Sequence, residues 1–591
     1  MPKKILSLTI SLLLMLSLAA CGEAEDPAAL VGPLEDVGIT TNEAEAPVNR
    51  TVVYIPLDDR PNNYECMAYR AQALGYGIVM PDPDLFRSRL NEQPANSNGT
   101  LYGDRAALYE WVLAMEERGY NYYVIFLDQL LSGGLVNSRA MQMGEPVTLS
   151  DGSTVSEEEM IENIFRVLGE DSNNRVWLLD TVMRLAPTVG YLHWDMNDYT
   201  TVREFFAQPR VDINGSLDPE TVIGTYMIGE DGKPLDPSKF GCKAADIDEC
   251  IAARTRKFML SDQLLQLAAE DTTGIFRVLF GIDDSSNDRN VQTAELTYIR
   301  EHLSENGYLL SGVDDMCFKA LGKMFLEDVD WQGGTVDIEY IGGAENEASS
   351  IFDYDSIKAV MAEHLAFFDM TESADADLKM FVITRADDEA KRDEYVQTLI
   401  DGVNESMAAG HPTILIDDTV CTYPGFPNCL VGQIDLGRLV AYSGRLDMAN
   451  IIGTAVSHGV SRYAFLLKGE ETYLTDAGHM RTIADGLIKD FCYRNVLRSE
   501  MDTYVKNTLG GDFNNFYLYG TDVKKANSYA AQRMEELSAP LIEALEASSF
   551  ITSLSPYAEK EWSQIRAVNY NFPWHRTFEL TFNLRLEEKE Q

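Results

Sequence analysis

Basic residues are scarce in this chain of 591 residues. It holds 48 lysines and arginines against 94 aspartates and glutamates, and its formal net charge at pH 7 is -46. A nucleic-acid backbone is held by a basic surface that replaces its counterions, so this composition excludes nucleic acid as a partner. Hydrophobic residues make up 45% of the chain, which excludes disorder throughout its length.

Several motifs of well-defined chemistry are also missing. The sequence has no Cys-x-x-Cys, no His-x-His and no Gly-x-Ser-x-Gly. These absences argue against a structural zinc site and against a nucleophilic serine in an elbow turn. Gly342-Gly343-Ala344 follows a predicted strand but lacks the third glycine or the Lys-Ser/Thr pair of a phosphate-binding loop, and we interpret it as a turn. No cofactor is predicted, although a divalent cation is considered below.

The first twenty residues predict export from the cytoplasm. Two lysines precede an apolar run over residues 5–18, and small residues follow, which is typical of a secretory signal peptide. The run is too short to span a membrane. Leu18-Ala-Ala-Cys21-Gly resembles the lipobox of bacterial lipoproteins, which implies that residues 1–20 are removed and that Cys21 carries the lipid.

Both acylation at Cys21 and its alternative, ordinary secretion, take the mature chain out of the cytoplasm. The sequence therefore predicts an extracytoplasmic protein of the bacterial cell envelope. An anionic membrane surface repels an acidic body, so we expect contact with the membrane through the lipid anchor only. Residues 21–49 are rich in Glu, Asp, Ala, Pro and Thr, and we predict that they form a flexible tether.

From Thr51 onward, short β-rich runs alternate with longer amphipathic stretches, the pattern of βα units and a mainly parallel sheet. We predict an α/β fold, either barrel-like or doubly wound, and favour a barrel-like first body. The fold comprises a first α/β body over residues 50–325, a second α/β region over 326–470 and a mostly helical part over 471–591. The predicted strands are 51–57, 77–80, 122–127, 176–179, 276–282, 336–341, 380–384, 413–416 and 463–467, followed by a late strand-like run over 577–584. The predicted helices include 104–118, 156–168, 246–269, 291–305, 356–368, 389–409, 436–458, 473–499 and 526–547.

Four predicted strands run directly into acidic residues. Strand 51–57 ends in Asp58-Asp59-Arg60, and strand 276–282 ends in Asp283-Asp284. The carboxyl ends of parallel strands share one rim, where ligands bind, so we expect several carboxylates to converge on one cleft. The alternative is that each aspartate caps the helix that follows it. The residues predicted to share this rim are Asp58, Asp59, Arg60, Asn62, Asp128, Arg139, Asp180, Asp283, Asp284 and Asn287.

Three sequence blocks lie at these strand ends, and the first two combine Gly, Asp, Arg and Pro in a fixed order. They are Ile55-Pro-Leu-Asp-Asp-Arg-Pro61, Phe126-Leu-Asp-Gln-Leu-Leu-Ser-Gly-Gly-Leu-Val-Asn-Ser-Arg139 and Gly281-Ile-Asp-Asp-Ser285. Together they resemble the signature blocks of a bacterial family, domain of unknown function 4127. The family carries no established activity, so the resemblance implies that the blocks matter but names no reaction.

A fourth block, over residues 441–454, resembles a further part of the same family and implies a site role for Asn450. The family pattern has a Gly-Trp-Asn-Thr stretch before this asparagine, whereas the present chain has Arg445, Leu446 and Asp447. The resemblance covers residues 51–470, which is most of the predicted mature chain.

We favour a carbohydrate-active hydrolase. In a glycosidase, two carboxylates flank the scissile bond, one protonated as the general acid and the other ionised as nucleophile or base. Asp283 and Asp284 are the predicted catalytic pair, because two neighbouring acids can both turn toward the cleft only where the chain leaves the strand. The other rim residues and Asn450 would bind the substrate, a carbohydrate or another small molecule, and His193 and Trp194 would add stacking surface.

Two other functions are open at this point. The same aspartates, with Asn287 or His193, could hold a divalent cation for metal-dependent hydrolysis, since oxygen ligands suit magnesium, calcium or manganese. A lipid-anchored α/β protein could also bind a solute or a glycan without cleaving it. Turnover of chromogenic glycosides, measured with and without a chelator, separates the three functions.

Acylation at Cys21 is testable by one substitution. We expect Cys21→Ser to leave an uncut or soluble protein, because the diacylated group is carried by the cysteine thiol. The measurement is the partition of the protein into detergent-extracted membrane. Unchanged membrane partition of the variant would contradict the lipoprotein prediction.

Overall fold

The computed structural model describes residues 33–42, 49–90, 96–419, 423, 425–516, 520–553 and 562–588. The predicted signal peptide, Cys21 and most of the predicted tether lie outside the described residues. Within the described ranges, no helix is both long enough and apolar enough to cross a bilayer.

Two parallel β-sheets organise the fold, and two antiparallel ribbons accompany them. The strands are β1 (Thr51–Ile55), β2 (Gly77–Val79), β3 (Tyr122–Phe126), β4 (Val147–Thr148), β5 (Thr154–Val155), β6 (Arg175–Val182), β7 (Phe276–Ile282), β8 (Gly307–Ser311), β9 (Gly334–Ile341), β10 (Met370–Glu372), β11 (Leu378–Ile383), β12 (Thr413–Asp417), β13 (Ala441–Gly444), β14 (Trp562–Asn571) and β15 (Thr581–Glu588).

The two parallel sheets share one topology. The first has the strand order β2-β1-β3-β6-β7-β8 and the second the order β10-β9-β11-β12-β13. In each, the chain starts inside the sheet, adds one strand on one side and then continues on the other, so the switch points lie between β1 and β3 and between β9 and β11. The predicted α/β class is confirmed. The sheet of the first body is open and doubly wound and not the favoured barrel, since β2 and β8 are edge strands in the described part of the chain.

Burial on both faces explains why most of these strands are evident in the sequence. β1 and β12 are buried at all of their positions. Parallel strands covered by helices on both sides read as continuous apolar runs, and Thr51-Val-Val-Tyr-Ile and Thr413-Ile-Leu-Ile are such runs.

One predicted strand and one predicted helix are wrong. Residues 463–467 belong to the helix Met448–Lys468, and the helix predicted over 436–458 begins only at Met448. This helix is buried around almost its whole circumference, so it lacks the amphipathic period that distinguishes a helix from a buried strand. The helices span Glu65–Ala73, Pro83–Phe86, Arg105–Glu117, Leu127–Ser132, Leu135–Ser138, Glu157–Leu168, Met196–Phe206, Pro219–Gly224, Ala244–Glu270, Gln292–His302, Met316–Asp328, Ile357–Phe367, Arg392–Ala408, Met448–Lys468, Tyr473–Ile488, Arg498–Asn507, Val523–Glu546 and Ser549–Ser553.

The helical C-terminal part packs on the helix Glu65–Ala73 and on β13, and it ends in the hairpin β14–β15. The helix predicted over 473–499 is interrupted by a π-helical segment, Lys489–Leu497. Hydrogen bonds join the end of the chain to its beginning, because Tyr69 Oη accepts from the backbone nitrogen of Leu584 at 2.9 Å. The loop between β14 and β15 is thereby brought to the carboxyl end of β1.

Residues 33–42, within the segment predicted as a flexible tether, pack against this body. The side chains of Leu34, Val37 and Ile39 are buried. Arg481 Nη2 donates a hydrogen bond to the carbonyl oxygen of Val37 at 2.6 Å. These apolar contacts shorten the part of the chain that can act as a tether.

The carboxyl ends of the two sheets face each other. The backbone nitrogens of Ser285 and Asn287, which follow β7, donate to the carbonyl oxygens of Phe352 and Tyr354, which follow β9, at 3.2 and 2.7 Å. We call the region between these two sheet edges the interdomain cleft. The loop after β8 and the start of the helix Met448–Lys468, which follows β13, also meet there, because Asn450 Oδ1 accepts from the backbone nitrogen of Asp314.

Close packing at this junction predicts that two glycine-to-alanine substitutions will differ in their effect on stability. In Gly453→Ala the new Cβ would lie 1.6 Å from Asp315 Oδ2, which is buried and paired with Lys319, whereas in Gly486→Ala the nearest atom is 3.5 Å away. We expect Gly453→Ala to lower the free energy of unfolding by roughly 1–3 kcal/mol or more. Gly486→Ala, a matched control in another buried helix, is expected to be neutral or to stabilise by up to about 1 kcal/mol.

Urea unfolding of both variants provides the measurement. Equal stability of Gly453→Ala and Gly486→Ala would contradict the close approach of the helix Met448–Lys468 to the loop after β8.

Candidate active site

Arg60 connects three separate parts of the chain at the carboxyl end of β1. Its Nε donates to both carboxylate oxygens of Asp58 at 3.0 Å. Its two terminal nitrogens donate to Asp314, which follows β8, at 3.0 and 2.6 Å. Glu579, from the loop between β14 and β15, has a carboxylate oxygen 3.8 Å from Arg60 Nη1. One buried guanidinium thus joins two strands of the first sheet to the C-terminal hairpin.

Trp574, from the same hairpin loop, lies against this guanidinium. Arg60 Cζ is 4.6 Å from the centroid of the Trp574 ring, and the indole nitrogen donates to Asp59 Oδ1 at 2.9 Å. Burial and the neighbouring charge of Asp58 raise the pKa of Asp59 to about 6. Trp574 and His575 have φ angles of 57° and 52°, a left-handed conformation that costs non-glycine residues about 1–3 kcal/mol and occurs preferentially at functional sites.

Asp283 and Asp284 are each paired with an arginine. Arg139 Nη2 donates to Asp283, and Arg184 Nη1 donates to Asp284 Oδ2 at 2.9 Å. Both arginines lie within reach of the hydroxyl oxygen of Thr188, at 3.4 and 3.3 Å. Burial, opposed by the charge of Arg139, raises the pKa of Asp283. The Asp284 side chain is 25% exposed against 6% for Asp283, so Asp284 is the more accessible of the two acids.

Asp447 lies across the interdomain cleft from this pair. It occupies the N-cap position of the helix Met448–Lys468, but its side chain makes no capping hydrogen bond. Its residue is half-buried. Burial, followed by the charges of Asp284, Asp353 and Asp314, raises the pKa of Asp447 to about 7. At neutral pH this carboxyl group therefore has a proton to give.

The helix-cap alternative is not observed for the acids at the ends of β1, β3 and β7. The described helices that follow these strands begin after Tyr64, Phe126 and Val291, none of which is an aspartate. Aspartates do cap helices elsewhere, as Asp104 does for the helix Arg105–Glu117. The strand-end acids therefore serve another purpose.

Asp128 and Asp180 form a separate buried cluster with Lys257. Lys257 Nζ lies 2.9 Å from Asp128 Oδ1 and also donates to Asp180. Thr181 donates to Asp128, and Ser261 Oγ donates to Asp180 at 2.6 Å. Asp180 lies inside β6 rather than at its end, because the strand continues to Val182. All oxygens of these two carboxylates are hydrogen-bonded or ion-paired within the protein, so the cluster stabilises the first sheet. The substrate-binding role of Asp128 and Asp180 stays a prediction.

Three residues predicted to bind the substrate lie away from the acids around Arg60. They are His193, Trp194 and Asn287. The His193 side chain is 47% exposed, 4.0 Å from Asp246, and Trp194 is buried in the hydrophobic core beneath it. Asn287 is exposed and contacts the cleft through its backbone nitrogen. Their side chains do not meet the acids around Arg60.

Two predicted asparagines border the cleft. Asn450 Oδ1 accepts from the backbone nitrogen of Asp314 at 3.2 Å, which ties the second sheet to the partner of Arg60. Asn62 is half-buried, and its carbonyl oxygen lies 3.8 Å from Cys317 Sγ.

Several residues of the site could not be identified from the sequence. Arg184 was hidden because β6 extends beyond its predicted end, and Asp314 because the short run of β8 was not predicted as a strand. The doubled acid Asp314-Asp315 was the available signal for the second. The hairpin loop carries no local motif that predicts its docking at β1, and the residues missed in it are Trp574, Arg576 and Glu579.

The chemistry of the site is that of carboxyl groups and guanidinium groups. Among the described residues, no group of three or more His, Cys, Asp or Glu side chains is arranged to hold a metal ion. Three acids of the cleft are partly exposed: Asp284 and Asp314, which are paired with arginines, and Asp447, which is surrounded by acids.

The comparisons with known proteins give a family and nothing closer. No curated protein and no solved structure is significantly similar to this chain. The model of a family described as protein of unknown function, DUF4127, matches residues 52–583. The match includes the acids at the strand ends and the C-terminal hairpin that meets them. The chain therefore belongs to the DUF4127 family.

Proposed function

We propose that this protein is a glycosidase-like hydrolase that works by acid–base catalysis in the interdomain cleft. The observation that carries the proposal is the pair Asp284 and Asp447, two half-buried carboxyl groups in different environments. One is engaged by Arg184 and the other is crowded by acids. Two carboxyl groups whose environments differ in this way supply the acid and the base that glycoside hydrolysis requires.

Asp447 is the general acid in this proposal. Its raised pKa, about 7, keeps a proton available near neutral pH, and it donates that proton to the oxygen of the leaving sugar. Asp284 is the carboxylate that acts as nucleophile, or as the base toward water. The assignment revises the catalytic pair expected from the sequence, since Asp283 becomes a positioning residue.

Asp283 positions Asp284 through the backbone. Its Oδ1 accepts a hydrogen bond from the backbone nitrogen of Asp284 at 3.0 Å, while its other oxygen is held by Arg139. A buried acid fixed at both oxygens has little freedom to attack a substrate. It sets the direction in which the next side chain leaves the strand.

Glycan binding without turnover is the second candidate. It is favoured by the extent of ion pairing, because Asp58, Asp283 and Asp284 already have arginine partners. Metal-dependent hydrolysis has no ligand set to support it among the described residues. Export and acylation at Cys21 are part of the proposal and rest on the sequence alone.

Substitution of the two carboxyl groups tests the catalytic assignment. We expect Asp284→Asn and Asp447→Asn each to reduce turnover of the best substrate in a chromogenic glycoside panel by roughly 10²–10⁴-fold, the usual contribution of one acid–base group. Asp288→Asn is the matched control, since Asp288 is exposed in the same loop. It should leave turnover unchanged, and a chelator should have no effect on the parent protein.

The possible results separate the candidates. Loss of turnover with a chelator would favour the metal-dependent reaction over this one. Thermal stabilisation by glycans, with no turnover of any glycoside in the panel, would favour the binding protein. Full activity of Asp284→Asn would remove that residue from the reaction.

The pH dependence tests the role of Asp447 independently. Because the acid must be protonated, we expect kcat/KM to fall as the pH rises through about 7. The pKa of Asp447 is higher in the folded chain than its ordinary value of 3.8, so its ionisation destabilises the fold as the pH rises between these two values. Asp447→Asn should therefore be more stable than the parent at pH 8 and equally stable at pH 3. A pH-independent stability difference would contradict the crowding of Asp447 by other acids.

A further inference from the structure

Cationic and aromatic side chains alternate from the buried Arg60 to the protein surface. Arg60 and Arg576 both lie over the Trp574 ring, at 4.6 and 4.5 Å from its centroid. Arg576 and Arg498 both lie over the Phe578 ring, at 4.7 and 4.5 Å. The five side chains form a continuous ladder that begins beside the catalytic cleft. Its outer end is open, because Phe578 is 36% exposed.

The two outer arginines have acidic neighbours among the described residues but form no direct ion pair with them. In the described part of the chain, neither Arg498 nor Arg576 takes part in an ion pair, and neither guanidinium donates a hydrogen bond; the ring contacts are their direct interactions. Glu579 and Asp58 attract Arg576, and Asp502 attracts Arg498, only at longer range. Arg60, in contrast, has three acidic neighbours. The hydrogen-bonding edges of the outer guanidinium groups are therefore available to a ligand.

This lack of partners is unexpected in so acidic a protein. With 94 acidic residues against 48 basic ones, a half-buried arginine would be expected to find a carboxylate. Instead, burial and the like charge of Arg60 lower the pKa of Arg576 to about 9. Stacking on two aromatic rings offsets part of this unfavourable environment and fixes the plane of the guanidinium. An anion bound at its edge would relieve the repulsion.

We propose that Arg498 and Arg576, with the Phe578 ring that both contact, form a subsite for a carboxylate-bearing sugar of an acidic glycan. A planar guanidinium matches a carboxylate through two parallel hydrogen bonds, and the exposed ring edge offers apolar contact to the sugar. The inner end of the ladder is Arg60 and Trp574, whose indole nitrogen donates to Asp59 at the end of β1, and the subsite forms its outer end. The inference rests on the proposed function for the identity of the ligand as a glycan.

Binding of a pectic polymer and its ester tests the subsite without any turnover. Polygalacturonate carries one carboxylate on each sugar, and its methyl-esterified form is the same polymer with those charges removed. The full chain is titrated with oligomers of each polymer at 0.15 M salt. At this ionic strength, repulsion between the oligomer and acids more than about 8 Å away is largely screened, so the affinity reports mainly on the nearby arginines. We expect the acid form to bind at least about tenfold more tightly than the ester.

Three variants make the result specific. Arg576→Gln and Arg498→Gln should each weaken binding of polygalacturonate by about tenfold or more, which is the loss of one charge-assisted pair. Arg166→Gln is the matched control, because Arg166 is an exposed arginine on the helix Glu157–Leu168. It removes the same charge and should leave binding unchanged. Arg498, at the half-exposed end of the ladder, keeps the test valid if Arg576→Gln fails to fold.

Equal binding of the acid and the ester would overturn the proposal, as would unchanged binding in both ladder variants or no binding of either polymer by the parent. None of these results affects the proposed function, which is decided by turnover of neutral chromogenic glycosides. Absence of turnover together with selective binding of polygalacturonate would overturn the hydrolase and leave the anionic subsite standing.

Discussion

The rest of the site depends on the ion pairs of one buried guanidinium group, that of Arg60. It uses Nε, Nη1 and Nη2 to hold Asp58 and Asp314, and Glu579 lies close by. Burying charges is unfavourable unless nearly all of their hydrogen bonds are made, and removing one partner from such a cluster typically costs about 3–5 kcal/mol. The first strand, the loop after β8 and the C-terminal hairpin therefore fold against each other around a single cation. The strained conformation of Trp574 depends on the same contact.

Most charges in this cleft are paired, which makes the exceptions informative. Asp447 is an acid crowded by other acids, and Arg576 is a base beside other bases. Both are half-buried, and both have a pKa displaced toward the neutral form. Strongly perturbed groups without a structural partner are concentrated at functional sites. Asp447 and Arg576 have opposite charges when ionised. In the proposals above, Asp447 gives a proton to one end of the substrate, and Arg576 binds an anionic group at the other end.

The sequence allowed the strand ends to be predicted because each depends on local information. An apolar run followed by Asp58-Asp59-Arg60 or Asp283-Asp284 identifies a buried strand and the place where it stops. Contacts between distant segments leave no such trace. Nothing near Trp574 predicts that its indole will meet Asp59, and the extra length of β6 that brings Arg184 to the cleft is set by pairing with β7. The strand-end acids could therefore be predicted from the sequence. The groups that contact them, such as Trp574 and Arg184, could not.

Asp447 shows how the fold separates two roles that a sequence cannot distinguish. It stands directly before a long helix, where an aspartate ordinarily caps the first turn, and the helix dipole would favour its ionised form. Here the side chain of Asp353 supplies a capping hydrogen bond instead, because its Oδ1 accepts from the backbone nitrogen of Ala449 at 3.4 Å. Asp447 makes no capping bond, and burial, followed by the charges of neighbouring acids, raises its pKa to about 7. The same position before a helix thus holds an acid whose pKa is raised by burial and by other acids, where a capping aspartate would be ionised.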